Sequence, residues 1–462
     1  MSAPALPGLS GVTVRAPRHA DGLPGVPPRW VALPESVEEI AAVMRASAAH
    51  DLAVVPLGGG TKRHWGGRPS RCDVVIGTER LDEIVEHVAG DLVVRAQAGV
   101  TAETLAAALA AEGQELALDV PVPGTTVGGL LATGIAGPRR FRYGTPRDLI
   151  IGVTVVLADG TIARSGGKVV KNVAGYDLGK LFTGSYGTLG VIADATFRLR
   201  PLPAARAWVT ADLTWMTAGP GAPGRSDRLA ALVTAVAATT REPAAIELDW
   251  PGTDWPGLDR PGLDWPGTDR PGTDDGTPSL AVLIEGAAAA ERARAVRDLI
   301  GNGALITDEP PAWWGRLPEP PGPSGGFLLE IRAAPSRLPG AVLDLMAAAG
   351  PAGAGAAVRG SIAAGVLHVA LYAASAGAGL ERMAGLLNRL RSRIEVAHAG
   401  GLDGRVVVLT SPEAMPPAVA PDPWGREATR RELLRRELTL RVKERFDPDH
   451  RMSPGRFAGG IR

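Results

Sequence analysis

The stretch GGKVVKNVAGYDLGKLFTGSYGTLGVI, from Gly166 to Ile192, decides the fold class of this chain. Its glycines recur in short loops, and it runs into the apolar strand pattern TLGVIADATFRLR. Upstream, the runs LIIGVTVVLADG and TIARSGG meet at Asp159-Gly160, a dipeptide typical of a tight turn between two strands. The region from about Val120 to Leu202 is therefore predicted to be an antiparallel sheet with functional glycine loops.

A second glycine-rich loop occurs earlier, in the sequence PLGGGTK from Pro56 to Lys62, after the apolar strand pattern LAVVPL. Three consecutive glycines allow successive backbone N–H groups to converge on an anion without obstruction by side chains. Thr61 adds a hydroxyl donor. The loop is a candidate diphosphate site, and a glycine turn without function is the alternative.

Helix signals surround this loop. Ser36 precedes VEEIAAVMRASAA, where apolar residues have helical spacing and acids occupy the first turn. Further along, Thr101 is placed to cap the helix AETLAAALAAEG, which is predicted to stop at Gly113.

Two more motifs complete the set: VPGTTVGG from Val122 to Gly129, and RYGTPRD from Arg142 to Asp148. Together with the two glycine-rich stretches, they resemble the FAD-binding domain of the family typified by p-cresol methylhydroxylase and vanillyl-alcohol oxidase. Within it, the Gly166–Ile192 stretch is most similar to the 2-hydroxyacid dehydrogenase branch, above all to the FAD-binding subunit of bacterial glycolate oxidase. The ending FDPDHRMSPGRF supports this, although Ser453 replaces the usual Asn.

The third region, from Ala207, has strand patterns such as AWVTADLTW, SLAVLIEG and GVLHVALYA separated by helical patterns. This order predicts an α+β unit in which helices cover one face of an antiparallel sheet. The resemblance implies an α+β fold overall, with a two-lobed PCMH-type FAD-binding domain over residues 28–205 after an N-terminal segment, 1–27. A ferredoxin-like α+β cap domain then spans 206–425, and the C-terminal segment 426–462 returns to the flavin domain.

The resemblance also implies which residues hold FAD. The Leu57–Thr61 loop would bind the pyrophosphate through backbone donors, and the Val122–Gly129 motif would line the ribityl and isoalloxazine side. The end of the Gly166–Ile192 stretch would form the other wall of the flavin site. The residues assigned in this way are Leu57, Gly58, Gly59, Gly60, Thr61, Pro123, Gly124, Thr125, Thr126, Gly128, Gly129, Thr133, Gly187, Gly190, Val191 and Ile192.

Two departures from the family pattern bear on the cofactor. Gly134 stands where many relatives carry Asn, so one polar contact to the flavin is expected to be lost. Relatives with covalent flavin carry a His in the glycine loop, where this chain has Thr61, and nearby His64 is interpreted as a loop residue. The implied cofactor is therefore non-covalent FAD.

Composition excludes several classes of function. The 462 residues include 49 Lys and Arg against 49 Asp and Glu, with no block of like charges that would favour nucleic acid or an anionic membrane surface. The single thiol, Cys72, cannot form an intrachain disulfide, an iron–sulfur site or a structural zinc site. Redox chemistry must therefore use an organic cofactor.

Sequence signals for export or membrane insertion are weak. Residues 1–33 lack a cationic segment followed by an apolar one, so we expect a cytoplasmic protein, peripheral at a membrane only through partners. The uncharged run from Gly360 to Leu380 has the length of a membrane span, but it is rich in Gly and Ala. We interpret GVLHVALYA within it as a buried strand entering a turn.

Three segments suggest loops. Leu248 to Gly272 is a tandem repeat of [Leu/Thr]-Asp-[Trp/Arg]-Pro-Gly, followed by TDDG, and we interpret it as an expanded hairpin loop, with a binding element as the alternative. PEPPGPSGG, from Pro318 to Gly326, is a second Pro-Gly tract. Gly219 to Gly224 satisfies G-x-G-x-x-G, but Pro220 and Pro223 remove donors that a pyrophosphate would need.

Catalytic residues are not identified by the sequence. The motif H-x-G-D-G-N-x-H of the family's catalytic subunits is absent, and the seven histidines show no metal-ligand pair at short spacing, so no metal is predicted. His368, on a predicted strand of the third region, is a lone candidate base, and a structural histidine is the alternative. Arg142, Lys171 and Tyr176 lie in flavin-domain motifs, where they either face the substrate or brace loops.

The resemblance implies an FAD-binding oxidoreductase subunit of glycolate-oxidase type. It would transfer hydride from a small 2-hydroxyacid, glycolate or D-lactate, to FAD within a complex that contains a second flavoprotein and an iron–sulfur subunit. Two alternatives stay open: a free-standing flavin oxidase or dehydrogenase that acts on another alcohol, and a non-catalytic FAD-binding scaffold subunit.

Overall fold

The structure is a computed structural model that describes residues 6–456 except 24, 168–176, 218–223, 253–275, 302, 319–325, 374–376, 396, 399–400, 403, 413–420 and 426–429. The chain divides into two compact units. Unit 1 contains residues 1–136, 143–202 and 433–462, and unit 2 contains residues 137–142 and 203–432. Most of the tandem repeat, most of the Pro318–Gly326 tract, most of the G-x-G-x-x-G segment, Lys171 and Tyr176 lie outside the described residues.

Unit 1 begins with a four-stranded sheet in the order β1-β2-β4-β3. Its strands are β1 Thr13–Arg15, β2 Trp30–Leu33, β3 Val54–Leu57 and β4 Val74–Gly77. Strands β2, β4 and β3 run parallel, and β1 is antiparallel to β2. Helix α1, Val37–Ala49, connects β2 to β3, and the Ser36 hydroxyl caps it by accepting from the Glu39 N–H at 3.1 Å, as predicted.

The second sheet of unit 1 has five strands in the order β5-β6-β10-β8-β9, all antiparallel. The strands that follow β4 are β5 Ile84–Val88, β6 Val93–Gln97, β7 Gln114–Glu115, β8 Ile150–Val156, β9 Ile162–Gly166, β10 Val191–Arg198 and β11 Arg200–Pro201. Strands β7 and β11 form a separate two-stranded ribbon. The antiparallel sheet and its hairpin at Asp159-Gly160 were both predicted from the sequence, and the structure confirms them.

Short helices occupy the connections of this half of the chain. They are α2 Ala102–Ala111, α3 Val127–Thr133, α4 Arg140–Tyr143, α5 Pro146–Leu149 and α6 Leu178–Phe182. The Thr101 hydroxyl accepts from the Thr104 N–H at 3.1 Å, so Thr101 caps α2 as its sequence position predicted. The boundary between units 2 and 1 falls within helix α4, between residues 142 and 143.

Unit 2 contains an eight-stranded antiparallel sheet in the order β15-β12-β14-β13-β17-β18-β16-β21. The strands are β12 Arg206–Asp212, β13 Ala245–Trp250, β14 Ser279–Glu285, β15 Leu305–Thr307, β16 Phe327–Ala333, β17 Gly355–Gly360, β18 Val366–Tyr372, β19 Ala397–His398, β20 Gly401–Leu402 and β21 Gly404–Thr410, of which β19 and β20 pair separately. The helices are α7 Arg225–Ala237, α8 Ala289–Ile300, α9 Leu338–Ala349 and α10 Gly377–Ile394.

Two similar halves make up this sheet. From β12 to β15 the elements follow the order βαββαβ, and the same order recurs from β16 to β21 when the short β19–β20 pair is set aside. In each half, the first strand lies between the third and the fourth, which is the arrangement of a ferredoxin-like unit. The halves join where Asp249 of β13 pairs with Arg359 of β17. The sequence predicted a single such cap; the structure has the motif twice.

The four long helices of unit 2 lie on one face of the sheet, as predicted. Alternate strand residues such as Val209, Ile246 and Val369 face the helices and form one apolar core with helix residues such as Leu345 and Leu387. The intervening strand residues include charged groups, because successive side chains of a strand point to opposite faces. Among the described residues, no helix is long and apolar enough to cross a membrane.

Helix α11, Arg430–Phe446, leads into the C-terminal segment of unit 1. Lys443 and Asp447 are completely buried, and the Lys443 ammonium donates to the Asp447 carboxylate at 2.5 Å. The Asp447 carboxylate also accepts from the N–H groups of Arg451 and Met452, at 3.0 and 2.8 Å. The Asp of the FDP motif therefore organises the turn that follows the helix.

Candidate functional site

The glycine loop after β3 packs closely against the Val122–Gly129 motif. A Cβ atom on Gly58 would collide with the Thr126 hydroxyl, and one on Gly59 would collide with the Gly124 carbonyl oxygen. Gly60 has a left-handed backbone, with φ +71°. Glycine is therefore required here by a close approach of two loops and by backbone conformation, in addition to any ligand.

The Val122–Gly129 motif leads into α3 and forms its first turn. The Thr126 hydroxyl accepts from the Gly129 N–H at 3.2 Å and caps the helix. Gly134 ends α3 with φ +65°, a left-handed conformation typical of a helix C-terminus. This geometry gives Gly134, the residue that replaces the family's Asn, a structural role of its own.

The end of the Gly166–Ile192 stretch contributes a loop that lies beside β3. Gly187 has φ +70°, and a Cβ atom there would approach the Pro56 ring to 3.3 Å. Tyr186, just before it, also has a positive φ, 54°. A positive φ is uncommon for a residue other than glycine, so Tyr186 marks the loop as conformationally constrained.

These three motifs surround one cavity in unit 1. Its lining contains the predicted residues Leu57, Gly58, Gly59, Gly60, Thr61, Thr126, Gly128, Gly129, Thr133, Gly187, Gly190 and Ile192. Four predicted residues do not line it: Pro123, Gly124, Thr125 and Val191. Val191 is fully buried in the core, and Gly124 and Thr125 lie just behind the glycine loop, against Gly59 and Lys62 respectively.

Several lining residues were not predicted, and Lys62 is the first of them. Its ammonium group donates to the Thr125 hydroxyl at 2.6 Å and to the Thr61 hydroxyl at 3.0 Å. The side chain is buried, with 7% exposure, and burial lowers the pKa of Lys62 to about 8, with only a partial opposing effect from Glu103. The available signal was its position, directly after the glycines and the Thr.

Arg456 is the second buried cation of the lining, and the other residues that the prediction missed are Pro56, Arg63, Thr78, Ala132 and Tyr186. Arg456 is 6% exposed, and its guanidinium donates to backbone carbonyls in the segment after the glycine loop. Burial lowers the pKa of Arg456 to about 10. Among the described residues, neither Arg456 nor Lys62 forms a salt bridge.

A second cavity, of about 470 Å³, also borders the glycine loop. Both cavities are lined by Leu57, Gly58, Gly59, Gly60 and Thr126. The second one is also lined by Arg15 and Asp21, which form an ion pair at 2.6 Å, and the hydrogen bond from Arg15 holds the pKa of Asp21 below its ordinary value. The glycine loop thus borders two cavities.

His368, the candidate base, lies in unit 2 on β18, directly opposite Glu330 of β16. Its Nε2 is 3.6 Å from a Glu330 carboxylate oxygen, and burial lowers the pKa of His368. Burial alone would raise the pKa of Glu330, but Arg332, His368 and Arg140 together hold it below its ordinary value. Burial thus favours the neutral form of His368 within a buried network of charged groups, which fits a structural role.

The other candidates are accounted for differently. Arg142 donates to the carbonyl and the carboxylate of Glu242, at 2.8 and 2.9 Å, so it braces unit 2. Cys72 is buried, and burial raises its pKa to about 12. Within the part of the chain that the structure describes, no group of three His, Cys, Asp or Glu side chains is placed to hold a metal ion.

Comparison with known proteins agrees with the geometry of unit 1. Residues 28–166 match the family described as FAD binding domain. The chain is 36% identical over 177 residues to glycolate oxidase subunit GlcD of Bacillus subtilis, a match that covers 38% of each chain. It is 38% identical over 189 residues to D-lactate dehydrogenase of Archaeoglobus fulgidus, covering 40% of each. It is 43% identical over 124 residues to glycolate oxidase subunit GlcE of Escherichia coli, covering 26% of this chain and 35% of that one.

The matched stretches thus span about two fifths of the length of these relatives or less. The fold as a whole is similar to that of a solved chitooligosaccharide oxidase, with a TM-score of 0.63, 16% identity and coverage of 95% of both chains. At that identity the likeness concerns the fold alone. The comparisons therefore identify residues 28–166 as an FAD-binding domain, and over the rest of the chain the likeness is one of fold.

Proposed function

We propose that this chain is a subunit of glycolate-oxidase type that binds FAD non-covalently. It takes hydride from a small 2-hydroxyacid, glycolate or D-lactate. It works together with a second flavoprotein and an iron–sulfur protein. The observation that carries the proposal is that the segment Leu57–Gly60 lines two cavities at once. This suits a dinucleotide, because a diphosphate bound at the shared segment would leave one cavity for each of its two ends.

The residues around the loop suit a diphosphate. The glycines leave backbone N–H groups accessible, and Thr61 and Thr126 supply hydroxyl groups to the lining. Lys62 and Arg456 bring two buried positive charges to the same cavity, and no described carboxylate is paired with either. A buried cation without a counter-ion is costly, so a bound diphosphate would offset a cost that is present in the free protein.

The two cavities would then receive the ends of the cofactor. We assign the isoalloxazine to the cavity lined by Thr133, Gly187 and Ile192, and the adenosine to the 470 Å³ cavity. The bound flavin supplies hydride acceptance at N5, which none of the twenty side chains can provide. The chain's own residues bind and orient this group and exclude water from it.

Non-covalent attachment is favoured by the position of the nearest histidine. His64 follows the glycine loop, but its side chain is exposed and does not line either cavity. Thr61, which occupies the position of the His in covalently flavinylated relatives, has no nucleophilic nitrogen. Trichloroacetic acid precipitation of the holoprotein should therefore release all the flavin into the supernatant, and flavin retained in the pellet would contradict this assignment.

The assignment of substrate and partners rests on the relatives named after glycolate oxidase subunits and D-lactate dehydrogenase. The test is an anaerobic titration of the FAD-loaded protein with glycolate and with D-lactate, followed at the flavin absorption bands. Bleaching only in the presence of co-purified partners would support a subunit role. Bleaching by another alcohol and by neither acid would support the free-standing enzyme, and no bleaching in any combination would support the scaffold.

A further inference from the structure

The C-terminal tail, Asp447 to Arg456, lies along the strand that leads into the glycine loop. The Val54 N–H donates to the Arg451 carbonyl at 2.8 Å, and the Ser453 N–H donates to the Val54 carbonyl at 2.9 Å. Met452 bridges Val54 in a parallel direction. The tail therefore extends the first sheet of unit 1 at the free side of β3.

At its end, the tail inserts Arg456 into the segment that follows the glycine loop. The Nη2 atom of Arg456 donates to the carbonyl oxygens of Lys62, Arg63 and Trp65, at 3.3, 2.7 and 3.1 Å. Three carbonyl dipoles that converge in a buried place repel one another unless a cation lies between them. The guanidinium thus stabilises one particular shape of residues 62–65.

The same tail also contacts the opposite wall of the cavity. The Ser453 hydroxyl donates to the Gly187 carbonyl at 3.2 Å, and the Lys443 ammonium, at the base of the tail, donates to the Thr188 carbonyl at 2.7 Å. Ser453 holds φ +43°, a left-handed conformation that suits Asn better than Ser. The C-terminal tail therefore contacts both the segment after the Leu57–Thr61 loop and the loop at Gly187.

We propose that Arg456 is a positioning residue for the cofactor: from the C-terminal tail, it holds residues 62–65 in the shape that presents the glycine loop and Lys62 to the FAD diphosphate. The inference rests on the proposed role of that loop. It assigns to the tail a function in cofactor affinity, beyond its contribution to the fold. Arg456 lies in the lining of the cavity, so its charge also acts on the bound anion.

The chain offers a matched control in Arg451. This residue belongs to the same tail and is buried to the same degree, with 7% exposure against 6%. Its guanidinium pairs with Asp449 at 2.7 Å and contacts the Ala158 carbonyl at 3.5 Å, far in sequence from the glycine loop. A methionine at either position keeps the apolar stem of the side chain and removes its charge and donors.

The experiment compares full-length Arg456→Met and Arg451→Met with the wild type, all stripped of FAD. We expect the Kd for FAD to rise about 100-fold in Arg456→Met and less than threefold in Arg451→Met, with similar losses of apoprotein Tm. ADP, which carries the diphosphate without the flavin, should show the same contrast. In Arg456→Ala, millimolar guanidinium should restore at least a tenth of the wild-type FAD affinity.

Hydrogen exchange of the apoproteins provides a readout that does not depend on the cofactor. Amides of residues 60–67 should lose protection in Arg456→Met and keep it in Arg451→Met. Equal changes of FAD affinity in the two variants, or unchanged protection of residues 60–67 in Arg456→Met, would overturn the proposal. If ADP fails to compete with FAD on the wild type, the assignment of the loop is wrong, whereas the exchange data still decide whether Arg456 holds it.

Discussion

The ammonium group of Lys62 lies 2.6 Å from the hydroxyl oxygen of Thr125, a residue 63 positions further along the chain. This contact joins the glycine loop after β3 to the loop that begins α3. It places a buried positive charge where the two loops meet, on the lining of the cavity that is proposed to hold the flavin end of FAD. Cofactor affinity and apoprotein stability should therefore respond in opposite directions to changes at Lys62.

The first prediction concerns the pH dependence of FAD binding. Burial lowers the pKa of Lys62 to about 8 in the free protein, and a bound diphosphate would favour the protonated form. Above pH 8, FAD binding must then take up a proton, and affinity should fall about tenfold per pH unit. Fluorescence titrations from pH 7 to 9.5 would show this slope in the wild type and in the control Lys180→Met, which removes a half-exposed lysine. A wild-type slope that persists in Lys62→Met would assign it to another group.

The second prediction concerns the stability of the apoprotein. A pKa lowered from 10.5 to about 8 corresponds to about 3 kcal/mol of destabilisation at pH 7, where Lys62 is charged in both the folded and the unfolded state. Lys62→Met removes this cost but loses two hydrogen bonds, so we expect a net gain of about 1 kcal/mol in the free energy of unfolding. Between pH 8 and 10.5 the unfolded state binds more protons, so the wild type gains stability as pH rises. The advantage of Lys62→Met in urea unfolding should shrink over that range, and a constant difference would contradict the assignment.

The third prediction tests the approach of the two loops. A side chain at Gly59 would collide with the Gly124 carbonyl, whereas one at Gly90 would meet nothing within 4 Å. Gly59→Val should therefore lose FAD on purification, because the loop must move away from its neighbour and the anion site is obstructed. Gly90→Val should keep the wild-type ratio of flavin absorbance to protein absorbance. Equal flavin content in both variants would contradict the assignment of this loop to the FAD site.

How much of the site could be predicted depended on whether its signal was local. Gly58, Gly59 and Gly60 could be found because three consecutive glycines after an apolar strand are visible in the local sequence. Arg456 could not be assigned a role, because its hydrogen bond to the Lys62 carbonyl joins residues 394 positions apart. The FDP ending drew attention to the tail, but a motif does not reveal which loop it contacts.

The same distinction applies to the fold. The strand patterns around β12, β14 and β18 are rich in apolar residues and were recognised. Strand β15 has only three residues, and β17, Gly355–Gly360, is mostly Gly and Ala, so neither shows a clear period. Without them the second βαββαβ half of unit 2 could not be distinguished from the first, and the duplication became visible only in the order of paired strands.

The fourth prediction concerns the buried pair at the start of the C-terminal tail. Lys443 and Asp447 have no exposed side-chain surface, and Asp447 also accepts two backbone N–H groups. Asp447→Ala should lower the free energy of unfolding by about 3–5 kcal/mol, because it leaves the Lys443 charge buried without its partner. Glu437→Ala, which removes a carboxylate with 53% exposure from its pair with the exposed Arg441, should cost less than about 1 kcal/mol. Comparable costs in thermal unfolding of the two variants would contradict this account of the FDP motif.

The last prediction concerns the tandem repeat. Deletion of Thr253 to Gly272 removes whole repeat units and leaves the described strands β13 and β14 intact. These strands are antiparallel neighbours, and Asp249 pairs directly with Ser279, so the eight residues left between positions 250 and 279 are enough to connect them. Because the entropy of loop closure changes only slowly with loop length, we expect the Tm to shift by no more than a few degrees and the FAD content to stay constant. If the shortened protein instead keeps its flavin but no longer co-purifies with a partner, the repeat is a binding element, and its tryptophans, Trp255 and Trp265, are the residues to substitute next.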